Sequence, residues 1–163
     1  MNAYEKAVGL LKIRPHYSGE LAKKLTLRGF KRQEVDEVIN RLHDSGMLND
    51  AQFAETFLAN LIRFKTFGFY GLKVKLMQRG MASQDAEVLL KENLSLEQEQ
   101  EIAERLLEKL QGKTLSVQSQ DSGAGHLSQR ERENLKMTNV KLAQKLSRKG
   151  FRSEVISSLL RAA

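Results

Sequence analysis

Apolar side chains recur at helical spacing along most of the chain and predict an all-α protein. Leu21 and Leu25 lie one helical turn apart and are followed by Gly29. Side chains at positions i and i+4 lie on one face of a helix, and a glycine with positive φ ends a helix without the steric cost that a Cβ would bring. After a short turn, a second apolar stripe at spacings of three and four residues predicts another helix.

This pattern occurs three times. The three copies read Leu21-x-x-Lys24-Leu25-x-x-Arg28-Gly29-Phe30, Leu72-x-x-Lys75-Leu76-x-x-Arg79-Gly80-Met81 and Leu142-x-x-Lys145-Leu146-x-x-Lys149-Gly150-Phe151. Upstream, a shift of 51 residues aligns Ala3 with Ala54, and a shift of 49 aligns Ala54 with Ala103. Each copy therefore has a first helix as well, and the sequence predicts three tandem three-helix repeats. The predicted repeats cover residues 1–48, 49–93 and 94–163.

The third copy contains a segment that cannot contribute to a core. Residues 111–130 are rich in Gly, Ser and Gln, and we expect a flexible polar loop there, after a first helix that runs from about Leu96 to Leu110. Gly68 and Gly71 mark a bend around Phe69 and Tyr70. We expect these two rings to pack between repeats, with an exposed aromatic contact as the alternative.

Composition and charge narrow the class of protein. The chain has 163 residues, 40% of them hydrophobic, with no Cys, no Trp and one Pro. The absence of cysteine excludes disulfides and thiolate metal sites, and no segment resembles a signal peptide or a membrane span, so we expect a cytoplasmic protein. We also expect a monomer, because no long exposed apolar stripe remains once the cores of the repeats are assigned. The net charge is +7. Residues from Arg130 onward include nine basic and three acidic side chains, and thus carry nearly all of it, which favours an anionic partner.

No catalytic, metal or cofactor site emerges from the sequence. Gly112-Lys113-Thr114 lacks the first glycine of a phosphate-binding loop, because that position is Leu107. The three histidines have no second ligand one turn away. The glutamates between 97 and 108 have the spacing of a solvated helix face. We therefore predict a protein that is not an enzyme.

Basic residues recur at two places in every copy, first at Lys24, Lys75 and Lys145 and again four residues later, at Arg28, Arg79 and Lys149. They could form a repeated stripe that faces an anionic partner. Cations near a helix C-terminus also interact favourably with the helix dipole, by about 0.3–1 kcal/mol. Both interpretations stay open for the first copy. In the third copy, where Lys141, Arg148 and Arg152 join the pattern, the partner-binding interpretation is favoured.

Three segments together resemble the RecX family of recombination regulators. They are Arg14-x-His16-x-x-x-Glu20-Leu21-x-x-Lys24-Leu25, Asp50-x-x-Phe53-Ala54 and Leu76-x-x-Arg79-Gly80-Met81. The resemblance extends over essentially the whole chain and is most specific in residues 8–82. The chain departs from the family pattern at Tyr17, where serine is usual, and at Lys75, where an acidic residue is usual.

The resemblance implies a curved, elongated array of three-helix repeats without catalytic activity. It also implies binding to RecA recombinase and to the filament that RecA forms on single-stranded DNA. Such binding would restrain ATP hydrolysis, strand exchange and the promotion of repressor self-cleavage by RecA. The candidate interface residues are Lys73, Lys75, Arg79, Lys141, Lys145, Arg148, Lys149 and Arg152, and the repeat-defining turns are Gly29, Gly80 and Gly150.

Two other functions fit the sequence less well. Two short helices around a glycine turn resemble a helix-turn-helix, so weak direct DNA binding is the first alternative. A general helical adaptor for another protein is the second. Binding that requires RecA and resists salt would separate the leading hypothesis from the first alternative, because phosphate-driven binding weakens steeply with salt.

Overall fold

The computed structural model describes residues 1–114 and 129–162, and all regular secondary structure in these residues is α-helical. The helices are α1 (Ala3–Ile13), α2 (Ser18–Thr26), α3 (Arg32–Asp44), α4 (Asp50–Phe64), α5 (Phe69–Gln78), α6 (Ser83–Asn93), α7 (Leu96–Thr114), α8 (Gln129–Arg148) and α9 (Ser153–Ala162). The all-α fold predicted from the sequence is confirmed. None of the described helices is both long and apolar enough to cross a membrane.

The helices α2, α5 and α8 all end in the same type of turn. Gly29, Gly80 and Gly150 follow these helices with φ values of +88°, +93° and +79°. In each turn, the amide after the glycine donates a hydrogen bond of 3.2–3.4 Å to the carbonyl of the second leucine of the repeated pattern. This is the six-to-one bond of a Schellman cap, in which a residue with positive φ ends the helix.

The described chain packs into two compact units. The first contains residues 1–63 and 73–90, and its core around α1, α2 and α3 is formed by small and branched apolar side chains. These are Ala3, Ala7, Leu21, Leu25, Val35, Val38, Leu42 and Leu48. Asn2 starts α1 with a capping box, because its side chain accepts from the Glu5 amide while the Glu5 carboxylate accepts from the Asn2 amide.

The second unit contains residues 64–72 and the described residues from 91 onward. Within it, α9 packs against both α7 and α8. Its buried apolar side chains are Phe69, Leu72, Leu94, Ile102, Ala103, Leu106, Leu146, Phe151, Val155 and Leu159.

The helices beside the predicted polar loop are longer than the sequence indicated. Helix α7 continues to Thr114 instead of ending near Leu110, and α8 begins at Gln129. A single glycine inside a helix costs only about 1 kcal/mol relative to alanine, so Gly112 does not stop α7. The remainder of the predicted loop, residues 115–128, lies outside the described residues.

The predicted repeat boundaries fall between helices. Helix α3 ends at Asp44 before α4 begins at Asp50, and α6 ends at Asn93 before α7 begins at Leu96. The two compact units follow a different division, because residues 64–72 pack with the second unit. The assignment of three repeats to residues 1–48, 49–93 and 94–163 therefore stays a prediction from the sequence pattern.

Candidate partner-binding surfaces

The last turns of α8 present three exposed cations on one side of the helix. Lys141, Lys145 and Arg148 are separated by four and three residues, so they lie along one face. All three side chains are exposed, whereas Leu146 on the other side of the helix is fully buried. We call Lys141, Lys145 and Arg148 the α8 basic face. It can present three positive charges to a partner without disturbing the core.

Lys149 and Arg152, the other two candidates in this region, are tied into the second unit. The Lys149 nitrogen lies 4.7 Å from the centre of the Phe67 ring, and the Lys149 carbonyl accepts a 3.0 Å hydrogen bond from the Gly68 amide. The Arg152 guanidinium lies 4.9 Å from the centre of the Phe69 ring. Both side chains are partly buried. Their internal contacts give them a structural role in addition to any role in an interface.

Glu99 is the partner of Arg152 and is completely buried. Its carboxylate forms an ion pair with the Arg152 guanidinium and also accepts 2.9 Å hydrogen bonds from the backbone amides of Arg152 and Phe69. The interpretation of the α7 glutamates as a solvated face is therefore wrong for Glu99. A sequence signal was present, because Glu99 precedes the buried Ile102 and Ala103 by three and four residues and so lies on the apolar face of α7.

Asp50 has a similar role in the first unit, because its carboxylate also binds the N-terminus of another helix. The Asp50 carboxylate accepts a 2.7 Å hydrogen bond from the backbone amide of Ser18 and a second bond from the Ser18 hydroxyl. Ser18 is the first residue of α2, and Phe69 is the first residue of α5. The 49-residue shift that aligns Ala54 with Ala103 also aligns Asp50 with Glu99. In both cases a carboxylate near the start of one helix caps the N-terminus of an earlier one.

Phe69 and Tyr70 behave differently, although both were expected to pack between repeats. Phe69 is 5% exposed and its amide is held by Glu99, whereas Tyr70 is 57% exposed. Phe69 is therefore buried, whereas the packing prediction is wrong for Tyr70. Packing of Phe69 between repeats stays a prediction, because the division into repeats is itself a prediction. Adjacent residues on a helix point about 100° apart, so one ring can enter the core while its neighbour faces solvent.

The candidate interface residues on α5 and directly after it are all partly buried; they are Lys73, Lys75 and Arg79. The Lys73 nitrogen donates a 2.7 Å hydrogen bond to the Glu87 carboxylate. The Arg79 guanidinium lies 3.7 Å from the Glu20 carboxylate and 5.0 Å from the centre of the Phe57 ring. Lys73 and Arg79 therefore have acidic partners within the first unit, and their role in an interface stays a prediction.

Glu20 is the centre of a cluster of cations. Its carboxylate forms ion pairs with Arg14 and with Lys24, whose nitrogen lies 3.1 Å away, in addition to Arg79. Burial raises the pKa of Glu20, but the hydrogen bonds from Arg14 and Lys24 outweigh it and hold the pKa below its usual value. Glu20 therefore stays ionised at neutral pH and holds the cations in place.

His16 completes this cluster in its neutral form. Its ring is 3% exposed, with Nδ1 2.9 Å from the Arg14 carbonyl and Nε2 2.9 Å from the Lys24 nitrogen. The Lys24 ammonium can only donate, so Nε2 accepts and the proton resides on Nδ1. Burial lowers the pKa of His16, and the nearby charges of Arg14 and Lys24 lower it further.

The structure provides a third explanation for the cation at position 24, in addition to partner binding and the interaction with the helix dipole. Its ammonium binds Glu20 and His16 within the first unit. Arg28 donates a 2.9 Å hydrogen bond to the Lys24 carbonyl, close to the C-terminus of α2. The cations of the first copy thus form contacts within the first unit. Their recurrence does not by itself indicate a binding partner.

Gly80 and Gly150 have a second constraint in addition to their positive φ. A Cβ at Gly80 would lie closer than 3.0 Å to backbone atoms of Gly19 and Glu20, and one at Gly150 would lie equally close to backbone atoms of Tyr70 and Gly71. These two turns therefore pack directly on the first residues of α2 and α5. Gly29 has nothing within 4 Å of the same position.

Replacing Arg152 by alanine is expected to lower the free energy of unfolding by about 1–3 kcal/mol, because Glu99 would stay buried with only its backbone donors. Arg148→Ala is the matched control, since Arg148 is exposed and should change the free energy by less than about 0.5 kcal/mol. Urea unfolding followed by far-UV circular dichroism measures both. Equal small effects would contradict the structural role of Arg152.

The described residues provide little for metal chemistry. Within residues 1–114 and 129–162, no group of three or more His, Asp or Glu side chains is arranged to hold a metal ion. The chemically distinctive features of this part of the chain are its clusters of cations, which suit the binding of a partner.

Comparison with known proteins agrees with this architecture. The family model for the first three-helix domain of RecX matches residues 3–42. The regulatory protein RecX of Pseudomonas putida is 33% identical over 121 residues, which cover 72% of this chain and 79% of that protein. The regulatory protein RecX of Prosthecochloris aestuarii is 36% identical over 90 residues, which cover 55% of this chain and 60% of that protein.

A solved structure shares the fold over nearly the whole chain. The crystal structure of RecX from Lactobacillus salivarius has a TM-score of 0.74 and 23% sequence identity, and the match covers 98% of this chain and 93% of that chain. The match to the Prosthecochloris protein extends over about three fifths of that protein's length. The identity and extent of the Pseudomonas match assign the family. This chain belongs to the RecX family.

Proposed function

We propose that this chain binds RecA recombinase and its filament on single-stranded DNA, and that it inhibits ATP hydrolysis, strand exchange and the coprotease activity of RecA. Membership of a family of regulatory proteins is the observation that carries this proposal. The proposed action is purely by binding, because no catalytic group was identified in the sequence.

The α8 basic face supports a contact with an acidic surface. Lys141, Lys145 and Arg148 are exposed and have no ion pair with the described residues. Charges that are exposed and unpaired can be neutralised by a partner without first breaking an internal ion pair. We therefore place the main contact at the α8 basic face, on RecA or on the DNA phosphates within the filament. Lys149 and Arg152 would support it from the adjoining turn.

The repeated pattern also suits a filament as the partner. A filament presents the same surface at regular intervals, and a chain with several similar modules can make several weak contacts at once. Such contacts give an overall affinity well above that of each contact alone. This explains how regulation could proceed without a deep binding pocket.

Co-sedimentation with filaments tests the proposal. RecA filaments assembled on single-stranded DNA should carry this chain into the pellet at physiological salt, whereas the same DNA without RecA should retain much less of it. Equal retention by filament and bare DNA, with a steep loss at higher salt, would favour direct DNA binding instead. Failure of RecA filaments to retain the chain would contradict the proposal.

A further inference from the structure

Helix α4 has a second face that does not contribute to the core. Ala54, Leu58 and Leu61 are buried, while another row along the same helix lines a cavity of about 540 Å³ in the first unit. The members of this row that matter here are Gln52, Phe53, Thr56, Phe57 and Asn60. Gln52, Thr56 and Asn60 are four residues apart, as are Phe53 and Phe57, so the two sets form adjacent rows on one side of the helix. We call this space the α4 cavity.

Aromatic rings form one wall of the α4 cavity. Phe53 and Phe57 are stacked, with ring centres 5.5 Å apart and an angle of 16° between the rings. The Tyr17 ring is not part of the cavity lining, and its centre lies 6.2 Å from that of Phe53. Phe53 and Phe57 are only partly buried, so they form a surface that faces the cavity and not a closed core. Aromatic rows of this kind are the surfaces on which unpaired bases stack.

Two guanidinium groups lie at one end of this row. Arg79 lies over the Phe57 ring, and Arg14 shares the Glu20 carboxylate with it. Both arginine side chains are 35% exposed, whereas Glu20 is only 13% exposed. Glu20 therefore forms ion pairs with both arginines. Among the described residues, no Asp or Glu belongs to the cavity lining. A guanidinium presents several N–H donors in a plane, which matches a phosphate group.

An anion is favoured at the end of the row that carries Arg14 and Arg79. Along the row, Gln52, Thr56 and Asn60 are exposed. Their amide and hydroxyl groups can both donate and accept hydrogen bonds, as the edge of a base requires.

We propose that the α4 cavity binds one unpaired nucleotide of single-stranded nucleic acid, with its phosphate on Arg14 and Arg79 and its base against the aromatic row. An acidic peptide would satisfy the arginines but would leave the stacked rings and the amide groups without a role. A paired base is excluded, because its hydrogen-bonding edge is occupied and its faces are covered by neighbouring bases. The site belongs to the first unit and shares no residue with the α8 basic face, which belongs to the second.

Charge substitutions on α4 provide a matched test. Thr56 lines the cavity and Ala59 does not, and both are exposed on the same helix. Fluorescence anisotropy with a labelled single-stranded DNA oligonucleotide at physiological salt, without RecA, measures binding. Thr56→Glu should weaken binding roughly 5-fold or more and Thr56→Lys should strengthen it. Ala59→Glu and Ala59→Lys should each change it less than about 2-fold, since they lie outside the site.

Several results would overturn the proposal. They are no binding by the wild-type chain, equal effects at Thr56 and Ala59, equal affinity for a duplex of the same length, and displacement of the DNA by a polyglutamate peptide at similar concentrations. Circular dichroism and thermal midpoints of all four variants verify that the fold is intact. Because the assay contains no RecA, its failure leaves the proposed RecA regulation untouched.

Discussion

Replacing Gly80 or Gly150 by alanine should destabilise the protein far more than the same change at Gly29. All three glycines have positive φ, and a residue with a Cβ pays about 1–2 kcal/mol for that conformation. At Gly80 and Gly150, the new methyl group would also overlap backbone atoms of another helix N-terminus. Overpacking adds about 1–3 kcal/mol, and backbone atoms cannot rotate away as a flexible side chain can. The expected loss is therefore roughly 2–5 kcal/mol at Gly80 and Gly150.

Gly29→Ala is the matched control because it changes the same position of the repeated turn in open space. The expected loss in the free energy of unfolding is the cost of the positive φ alone, about 1–2 kcal/mol. Urea unfolding of the three variants, followed by far-UV circular dichroism, measures the difference. Equal losses at all three glycines would show that Gly80 and Gly150 do not pack against α2 and α5 as described.

Reversing the charge of the α8 basic face should weaken binding to RecA filaments without unfolding the protein. The triple variant Lys141→Glu, Lys145→Glu and Arg148→Glu replaces three exposed cations. Charged contacts at the edge of an interface mainly control the rate of association, and opposed like charges cost several kcal/mol, so a loss of affinity of roughly 10-fold or more is expected. Co-sedimentation with filaments across a range of protein concentrations measures it.

A second triple variant controls for the change in net charge. Lys12→Glu, Lys23→Glu and Lys31→Glu also replace three exposed lysines, but these belong to the first unit, whereas α8 belongs to the second. If the α8 basic face is the contact, this control should retain most of its affinity, and both variants should keep the thermal midpoint of the wild-type protein within a few degrees. Equal losses in the two triple variants would indicate a general charge effect and remove the α8 basic face from the interface.

The repeated pattern was sufficient to predict the fold, because each copy carries its own local signals. Leucines one turn apart and a glycine four residues after the second leucine specify a helix and its Schellman cap without reference to the rest of the chain. For the same reason the positive φ of Gly29, Gly80 and Gly150 could be anticipated. The direct packing of Gly80 and Gly150 on other helices could not, because that contact joins distant parts of the chain.

The candidate interface residues were chosen by charge alone, which explains why they divide into two groups. Sequence spacing predicts that Lys141, Lys145 and Arg148 share a face of α8. It does not reveal that Arg152 pairs with buried Glu99, since these residues are 53 positions apart. The α4 cavity was missed for a related reason. Its arginines, Arg14 and Arg79, directly follow α1 and α5, and only the folded chain brings them to the aromatic row.

The most direct test of the central claim is the rate of ATP hydrolysis by RecA on single-stranded DNA as this chain is added at physiological salt. The proposed function predicts that the rate falls at amounts of the chain below one per RecA, and that the α8 triple variant needs more protein for the same effect. An unchanged rate, under conditions where the folded wild-type chain is present in excess over RecA, would contradict the account.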